Sequence, residues 1–572
     1  MSSLISNINV PTWSKYLIGA ILTGAVVYVG GRLVFETLKT DSKPSKSEDL
    51  TKYVTLSENG KKSLKLKTKG NEYFKNKEYN DAYETYNQGI FLCDEKKDSQ
   101  LLAELHQNAA ATSFYLENID KEIYHCNQAL KYVPTFIKAL KRRASAYEKK
   151  RSLKEAADDY LILGSLEPAH AAAHQNKARE LYTEASLIVA RYKFKQIPEE
   201  VRPLIHQQMF TYLFHSNIHN SLSNFVKKKK DCSVLDEEPI VHEIIKELRE
   251  HKFDDAYQKC EEYLKNFDET KKIEFFYLMQ ILLLKCYITQ RRYTLAKIVY
   301  ENILNKYESE KPIFDEKILN NFMLSWKILG LELYFHISDE EGENFFNTQM
   351  GEYKENTDSY LSYGILKIAS DANALAASSA KAQELDSNNI YATWYNLYSQ
   401  CLACIIGGDY SSFIQKMKEF EDKLNKFGYN EDSYIGWFFL SQIFAVNDYE
   451  ACSKILQKCS EIYPKYVINQ IIEISLMPPQ ITQSSPENYA LYMLKMKKVV
   501  DNVLKIDPFN TIGLKMKARI CMEEGQTEEA SKYLEEALKY ASSTDEYAEV
   551  TLDTYILQGF KDANERGISL VQ

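Results

Sequence analysis

The sequence predicts an all-α chain built as an α-α superhelix of stacked helix pairs, and three observations predict it. Pro134 and Pro168 stand 34 positions apart, and so do Ala110 and Ala144. Small residues recur where two helices must approach closely, with aromatics near them. Gly70, Tyr73, Tyr79, Ala82, Tyr86 and Gly89 mark one unit, Ala110, Ala129 and Pro134 the next, and Ala144, Tyr147, Ala156, Tyr160 and Pro168 a third. Gly (20) and Pro (13) are scarce among 572 residues, which suits helices rather than strands and tight turns. A chain this long exceeds one compact core, but stacked repeats have no such limit because each unit contacts only its neighbours.

Residues 1–15 form a short polar tail. Residues 16–35 follow as a single transmembrane signal anchor: Tyr16 to Gly31 carries no charge, and Leu33, Val34 and Phe35 extend the run if Arg32 snorkels to the interface. That length is near the lower end of the roughly 17–25 residues that span a bilayer. A cleaved signal peptide is the competing reading. The polar start, the lack of a basic segment before the apolar run and the absence of a well-placed cleavage site speak against it. Lys15 is the only basic residue before the span, whereas Arg32, Lys39, Lys43 and Lys46 follow it, which places the bulk of the chain in the cytosol. A short span with basic flanks also suits the mitochondrial outer membrane. Ala20 and Gly24 form a small-xxx-small pair that could pack on another membrane helix or face lipid. Residues 36–60 are a polar, flexible linker that holds the next domain off the membrane.

Residues 61–170 contain the three marked units. Their period, with its small, aromatic and Pro positions, is that of the tetratricopeptide repeat. The step from the first unit to the second is longer, because Glu95-Lys96-Lys97-Asp98 extends the connection. Lys67 and Asn71 are four apart, as are Lys138 and Arg142, so each pair shares a helix face. The first helices of stacked pairs line the inside of the superhelix. Lys67, Asn71, Asn108, Lys138 and Arg142 are therefore expected to converge on one concave surface. A peptide ending in Asp presents two carboxylates close together. Lys and Arg would meet them with charge-assisted bonds of about 1.5–3 kcal/mol each, and the Asn amides would hold backbone or terminal oxygens. A single Lys or Arg on a helix is usually just a solvated charge; five polar residues in register favour a binding face.

Three segments carry a family resemblance: Lys67-x-x-Gly70-Asn71, then His106-Gln107-Asn108-Ala109-Ala110, then Lys138-Ala139-Leu140-Lys141-Arg142-Arg143-Ala144-Ser145-Ala146. They resemble the carboxylate-clamp class of tetratricopeptide domains found in chaperone-binding adaptors. The resemblance implies that Lys67, Asn71, Asn108, Lys138 and Arg142 bind the acidic C-terminal tails of the seventy- and ninety-kilodalton heat-shock chaperones.

Residues 171–240 hold a continuing helix and then an irregular linker, where Pro198, Pro203 and Lys227-Lys228-Lys229-Lys230 break the repeat. The lysine run reads as a solvated linker, with an acidic partner or a lipid surface as the sharper option. Helical periodicity resumes over 241–572, a C-terminal repeat domain with a long candidate groove. Lys252-Phe253-Asp254-Asp255-Ala256 and Asn447-Asp448-Tyr449-Glu450-Ala451 punctuate its units. Aromatic runs such as Phe275-Phe276-Tyr277-Leu278-Met279 read as core, and no groove residue is assigned as a ligand contact.

The net charge of −9 does not suggest nucleic-acid binding. The ten cysteines show no disulfide spacing, which points to a reducing compartment. Cys401-Leu402-Ala403-Cys404 lacks a second ligand pair for zinc and reads as two core thiols. No phosphate loop, H-E-x-x-H or G-x-S-x-G motif occurs, so a binding protein without catalysis, cofactor or metal is expected.

Anchor, three-repeat clamp, linker and long repeat domain together resemble the large tetratricopeptide receptor of the mitochondrial outer-membrane translocase, the TOM complex. This resemblance implies a mitochondrial import receptor. Its N-terminus would lie in the intermembrane space and its bulk in the cytosol. Chaperones would dock at the clamp, and the hydrophobic precursor proteins they carry would be received in the C-terminal groove and passed on to the translocase. The alternative is a membrane-anchored tetratricopeptide co-chaperone on another membrane, such as the endoplasmic reticulum.

Overall fold

A computed structural model of the chain describes residues 56–198 and, apart from short interior stretches, 239–568. The expected anchor at 16–35 lies outside the described residues. Among the described residues every regular element is a helix, and none is long and apolar enough to cross a membrane. Contacts divide these residues into two compact units. One takes in residues of 34–196, 521–534 and 544–572, the other residues of 197–520 and 535–543.

The first unit opens with α1 (Glu58–Lys75), α2 (Tyr79–Leu92), α3 (Ser99–Tyr115), α4 (Ile119–Tyr132), α5 (Ile137–Lys150), α6 (Leu153–Leu166) and α7 (Ala171–Lys195). The first six form three antiparallel pairs. The same turn closes the first helix of each pair. Lys77, Glu117 and Arg151 take left-handed φ values of 66°, 56° and 63°. The next N–H then reaches back: Glu78 N to Tyr73 O at 2.9 Å, Asn118 N to Ser113 O at 3.0 Å, and Ser152 N to Tyr147 O at 2.9 Å. That bond satisfies carbonyls a helix end would otherwise leave unpaired. The small residues do what their spacing predicts. Ala82, Ala110, Ala144 and Ala156 are fully buried. A Cβ on Gly70 would lie 2.5 Å from the Tyr86 ring, so only glycine lets α1 and α2 close over that side chain. The residues that lengthen the first connection also have a function. The Asp98 carboxylate accepts from Ser57 N (2.9 Å), Ser57 Oγ (2.6 Å) and Asp94 N (2.9 Å). Ser57 Oγ in turn caps α1 by accepting from Gly60 N at 2.8 Å.

The second unit runs through α8 (Phe253–Lys265), α9 (Ile273–Thr289), α10 (Tyr293–Glu310), α11 (Glu316–Ile337), α12 (Asp339–Thr348), α13 (Thr357–Lys367), α14 (Ala372–Leu385) and α15 (Ile390–Gly407). It continues with α16 (Tyr410–Phe427), α17 (Tyr434–Asn447), α18 (Tyr449–Ile462), α19 (Val467–Ser475), α20 (Pro486–Ile506) and most of α21 (Thr511–Glu523), while α22 (Thr527–Tyr540) belongs partly to each unit. Its core is aromatic. Trp326, Trp394 and Trp437 are buried, as are Phe275, Tyr277 and Met279 of the aromatic run. Cys401 is buried, and that burial pushes its thiol up to about 12, so it packs as a small apolar group.

The last helix, α23 (Thr544–Glu565), packs with the first unit. Residues 241–572 therefore do not form a single body. The reason lies in α7, whose Ala178, Leu181 and Tyr182 need a cover. Ile556, Ala563 and Ile568 supply it and share one core with them. Gly559 allows the approach, since a Cβ there would sit 2.5 Å from the Tyr182 hydroxyl oxygen. That hydroxyl donates to Asp158 Oδ1 at 2.6 Å, and Lys154 Nζ meets the same carboxylate at 2.9 Å.

Candidate carboxylate-binding site

The five expected residues sit on the first helices of the three pairs. Lys67 and Asn71 are on α1, Asn108 is on α3, and Lys138 and Arg142 are on α5. Asn71 Oδ1 accepts from the Tyr86 hydroxyl at 2.7 Å and from Asn108 Nδ2 at 3.1 Å. Two successive first helices are thus tied by their asparagines. The Asn71 amino group, a donor only, remains for an anionic ligand. Burial pushes the Tyr86 phenol up to about 12, so it stays protonated and holds Asn71 by donating.

Each of two clamp cations already has a carboxylate beside it. Lys67 Nζ pairs with Glu104, which lies on α3 one turn before Asn108. Arg142 Nη1 stands 3.6 Å from Glu122 Oε1 on α4. The Arg142 guanidinium also lies 5.8 Å from the centroid of the Phe114 ring, and Lys149 Nζ lies 3.9 Å from the same centroid. Such cation–ring contacts contribute about 0.5–1 kcal/mol each at exposed sites. Lys138 is exposed, one turn before Arg142. Among the described residues it has no carboxylate within ion-pair range and no side-chain hydrogen bond.

The two carboxylates differ in setting. Glu122 is only 2% exposed, and burial pushes its carboxyl up, with Arg142 and Lys149 opposing. The Glu104 side chain is 17% exposed and that of Lys67 is 18% exposed, so this pair keeps partial access to solvent. Neither acid was expected from the sequence, although the spacing of Glu104 from Asn108 places both on one face of α3.

Behind the site lies a neutral polar pair. His106 Nδ1 and His125 Nδ1 are 3.0 Å apart, and His125 Nε2 is 3.0 Å from the Tyr83 hydroxyl. Burial draws His106 down to about 3 and His125 down to about 4, so both are uncharged at neutral pH. Arg143 faces the same interior. It forks onto Asp159, with Nε to Oδ2 at 2.8 Å and Nη2 to Oδ1 at 2.5 Å, and Nη1 donates to Asn127 Oδ1 at 2.7 Å. The first helices of the three pairs thus carry cationic and amide side chains, all but Lys138 of them partly covered. Among the described residues, no group of three or more His, Cys, Asp or Glu is placed to hold a metal ion.

No family model matches the chain. The human protein described as mitochondrial import receptor subunit TOM70 is 23% identical over 498 residues, which is 84% of this chain and 76% of that one. A Dictyostelium discoideum protein described as DnaJ homolog subfamily C member 7 homolog is 30% identical over 135 residues, 23% of this chain and 25% of that one. A crystal structure of yeast Tom70 aligns with 89% of this chain and 96% of that one, at 18% identity and a TM-score of 0.44. Over most of its length, then, the chain is similar to the TOM70 import receptors, which bears out the resemblance read from its residues.

Proposed function

We propose that this chain is a mitochondrial protein import receptor of the outer membrane. It is anchored by residues 16–35, with its N-terminus in the intermembrane space and its repeats in the cytosol. Lys67, Asn71, Asn108, Lys138 and Arg142 dock the acidic C-termini of seventy- and ninety-kilodalton heat-shock chaperones. The precursor proteins those chaperones carry are received by the C-terminal repeats and passed to other translocase subunits.

The observation that carries this reading is similarity to an import receptor along 84% of the chain, with cationic and amide side chains placed on the first helices of three successive pairs. The chemistry follows from the donors. An aspartate at a peptide C-terminus brings two carboxylates. Lys138 and Arg142 meet them as charge-assisted donors, and the Asn71 and Asn108 amides fix the ligand's direction. Binding needs no chemical step, only orientation and charge.

Calorimetric titration of the full chain with a short acidic peptide ending in aspartate tests the proposal. Wild type should bind, and Arg142→Ala should bind about 1.5–3 kcal/mol more weakly, with circular dichroism as the check on folding because the variant also leaves buried Glu122 without its neighbouring cation. Equal binding by both would refute the clamp. For the location, a reporter carrying residues 1–60 should label mitochondria; reticular labelling would move the protein to the endoplasmic reticulum.

A further inference from the structure

Lys67 is the clamp cation nearest the start of the repeats, and Glu104 holds it. Glu104 lies on the same face of α3 as Asn108, one turn away. Its other oxygen is 3.4 Å from Gln100 Nε2, so the carboxylate is steadied from behind. Both members of the ion pair remain partly exposed, at 18% and 17%. Glu122 contrasts with this arrangement. It is nearly closed off, and it supports Arg142 from beneath.

We infer that Glu104 is an internal competitor for the clamp: its carboxylate occupies Lys67 where a ligand carboxylate would bind, and so it sets the affinity and charge selectivity of the site. The inference rests on the clamp reading of the preceding section. With Lys67 paired to Glu104, Lys138 and Arg142 are the other cations of the proposed clamp, Arg142 keeping Glu122 at 3.6 Å on the side of α4. A tail with a single carboxylate is served by those two and leaves Glu104 in place. A tail with several adjacent carboxylates can displace Glu104 and recruit Lys67. Glu104 therefore lowers affinity for all acidic tails and penalises weakly acidic ones most. Glu122 has the opposite effect, because it orients an Arg that must face the ligand.

The test is calorimetric titration of the full chain with a short peptide carrying glutamates before a C-terminal aspartate, at two salt concentrations. Wild type, Glu104→Gln and Glu122→Gln are compared, with circular dichroism as the check on folding. Glu104→Gln keeps the size of the side chain and its contact with Gln100. It should bind roughly three- to tenfold more tightly, with a steeper loss on raising salt because the face gains a net positive charge. Glu122→Gln should bind more weakly. Binding by Glu104→Gln where wild type is silent would support the inference most strongly. Wild-type binding with Glu104→Gln equal or weaker would overturn it and make Glu104 a residue that orients Lys67. No binding by wild type or by Glu104→Gln would remove the clamp reading itself, and the inference with it.

Discussion

Asn108 donates its side-chain amide to Asn71 Oδ1 across 3.1 Å, and the Tyr86 hydroxyl donates to the same oxygen at 2.7 Å. The Asn71 carbonyl is therefore engaged within the fold, and its amino group is the half that the proposed clamp would use. Asn71→Asp separates the two. The aspartate still accepts from Asn108 and Tyr86, so the fold is expected to persist. It loses the donor and adds a negative charge. Acidic-peptide affinity should fall about tenfold or more, the equivalent of roughly 1.4 kcal/mol, as read by titration calorimetry. Tyr86→Phe removes one donor to Asn71 and should cost about 1 kcal/mol of stability with a smaller effect on binding.

How much of this could be read from the residues depends on how local each feature is. The repeat is legible because close helix approach demands small residues at fixed intervals, and Gly70, Ala110 and Ala144 supply them. The candidate ligand face is legible wherever two candidate residues share a helix, as Lys138 and Arg142 do. Arg142 and Arg143 are adjacent in sequence but, about 100° apart on the helix, meet different neighbours. One lies over Phe114, and the other forks onto buried Asp159. Helical periodicity separates them, but Asp159 and Glu122 come from the second helices of their pairs, and no local pattern marks such partners. Glu104 was within reach of helical periodicity, since it lies four positions before Asn108, but the clamp pattern that singled out Asn108 includes no acid there. The place of α23 was not, because its partner α7 lies more than three hundred positions earlier in the chain.

The paired histidines give a pH dependence with a defined sign. His106 and His125 are drawn down to about 3 and about 4 from an ordinary value of 6.5, chiefly by burial. A depressed histidine favours the neutral, folded form. Its contribution is complete above about pH 6.5 and is lost as pH falls towards 4 and then 3, because the unfolded chain binds protons first. The thermal midpoint should therefore drop on acidification from neutral to about pH 5. His125→Gln removes one of the two groups and should flatten that drop, even if it lowers the midpoint at neutral pH. An unchanged slope in the variant would show that other groups carry the acid sensitivity.

The three left-handed turns make a prediction of stabilisation. Glu117 holds φ at 56°, a region that costs a side-chain-bearing residue about 1 kcal/mol or more. It is exposed. Glu117→Gly should relieve the strain while keeping the bond from Asn118 N to Ser113 O. The greater freedom of glycine in the unfolded chain offsets part of the gain. A net stabilisation of up to about 1 kcal/mol is expected from urea or thermal unfolding. Glu117→Val should do the reverse, since a β-branched residue tolerates positive φ worst.

Lys285 on α9 and Glu332 on α11 form an ion pair inside the second unit, with Nζ 2.9 Å from Oε1 and 2.8 Å from Oε2. They are only 2% and 8% exposed. Taking two charges out of water is costly, and their mutual attraction offsets that cost only while both are present. Lys285→Met leaves the Glu332 carboxylate buried and uncompensated, and should destabilise by about 3–5 kcal/mol. Replacing both, as Lys285→Met with Glu332→Leu, removes the charges together and should recover most of the loss. Clamp affinity for an acidic peptide should be unaffected in both variants, because the pair belongs to the unit that lacks the clamp. Chemical unfolding of the single and double variants measures the first expectation, and peptide titration of the double variant measures the second. Equal destabilisation in the single and double variants would mean that Lys285 contributes through packing of its methylenes and not through its charge.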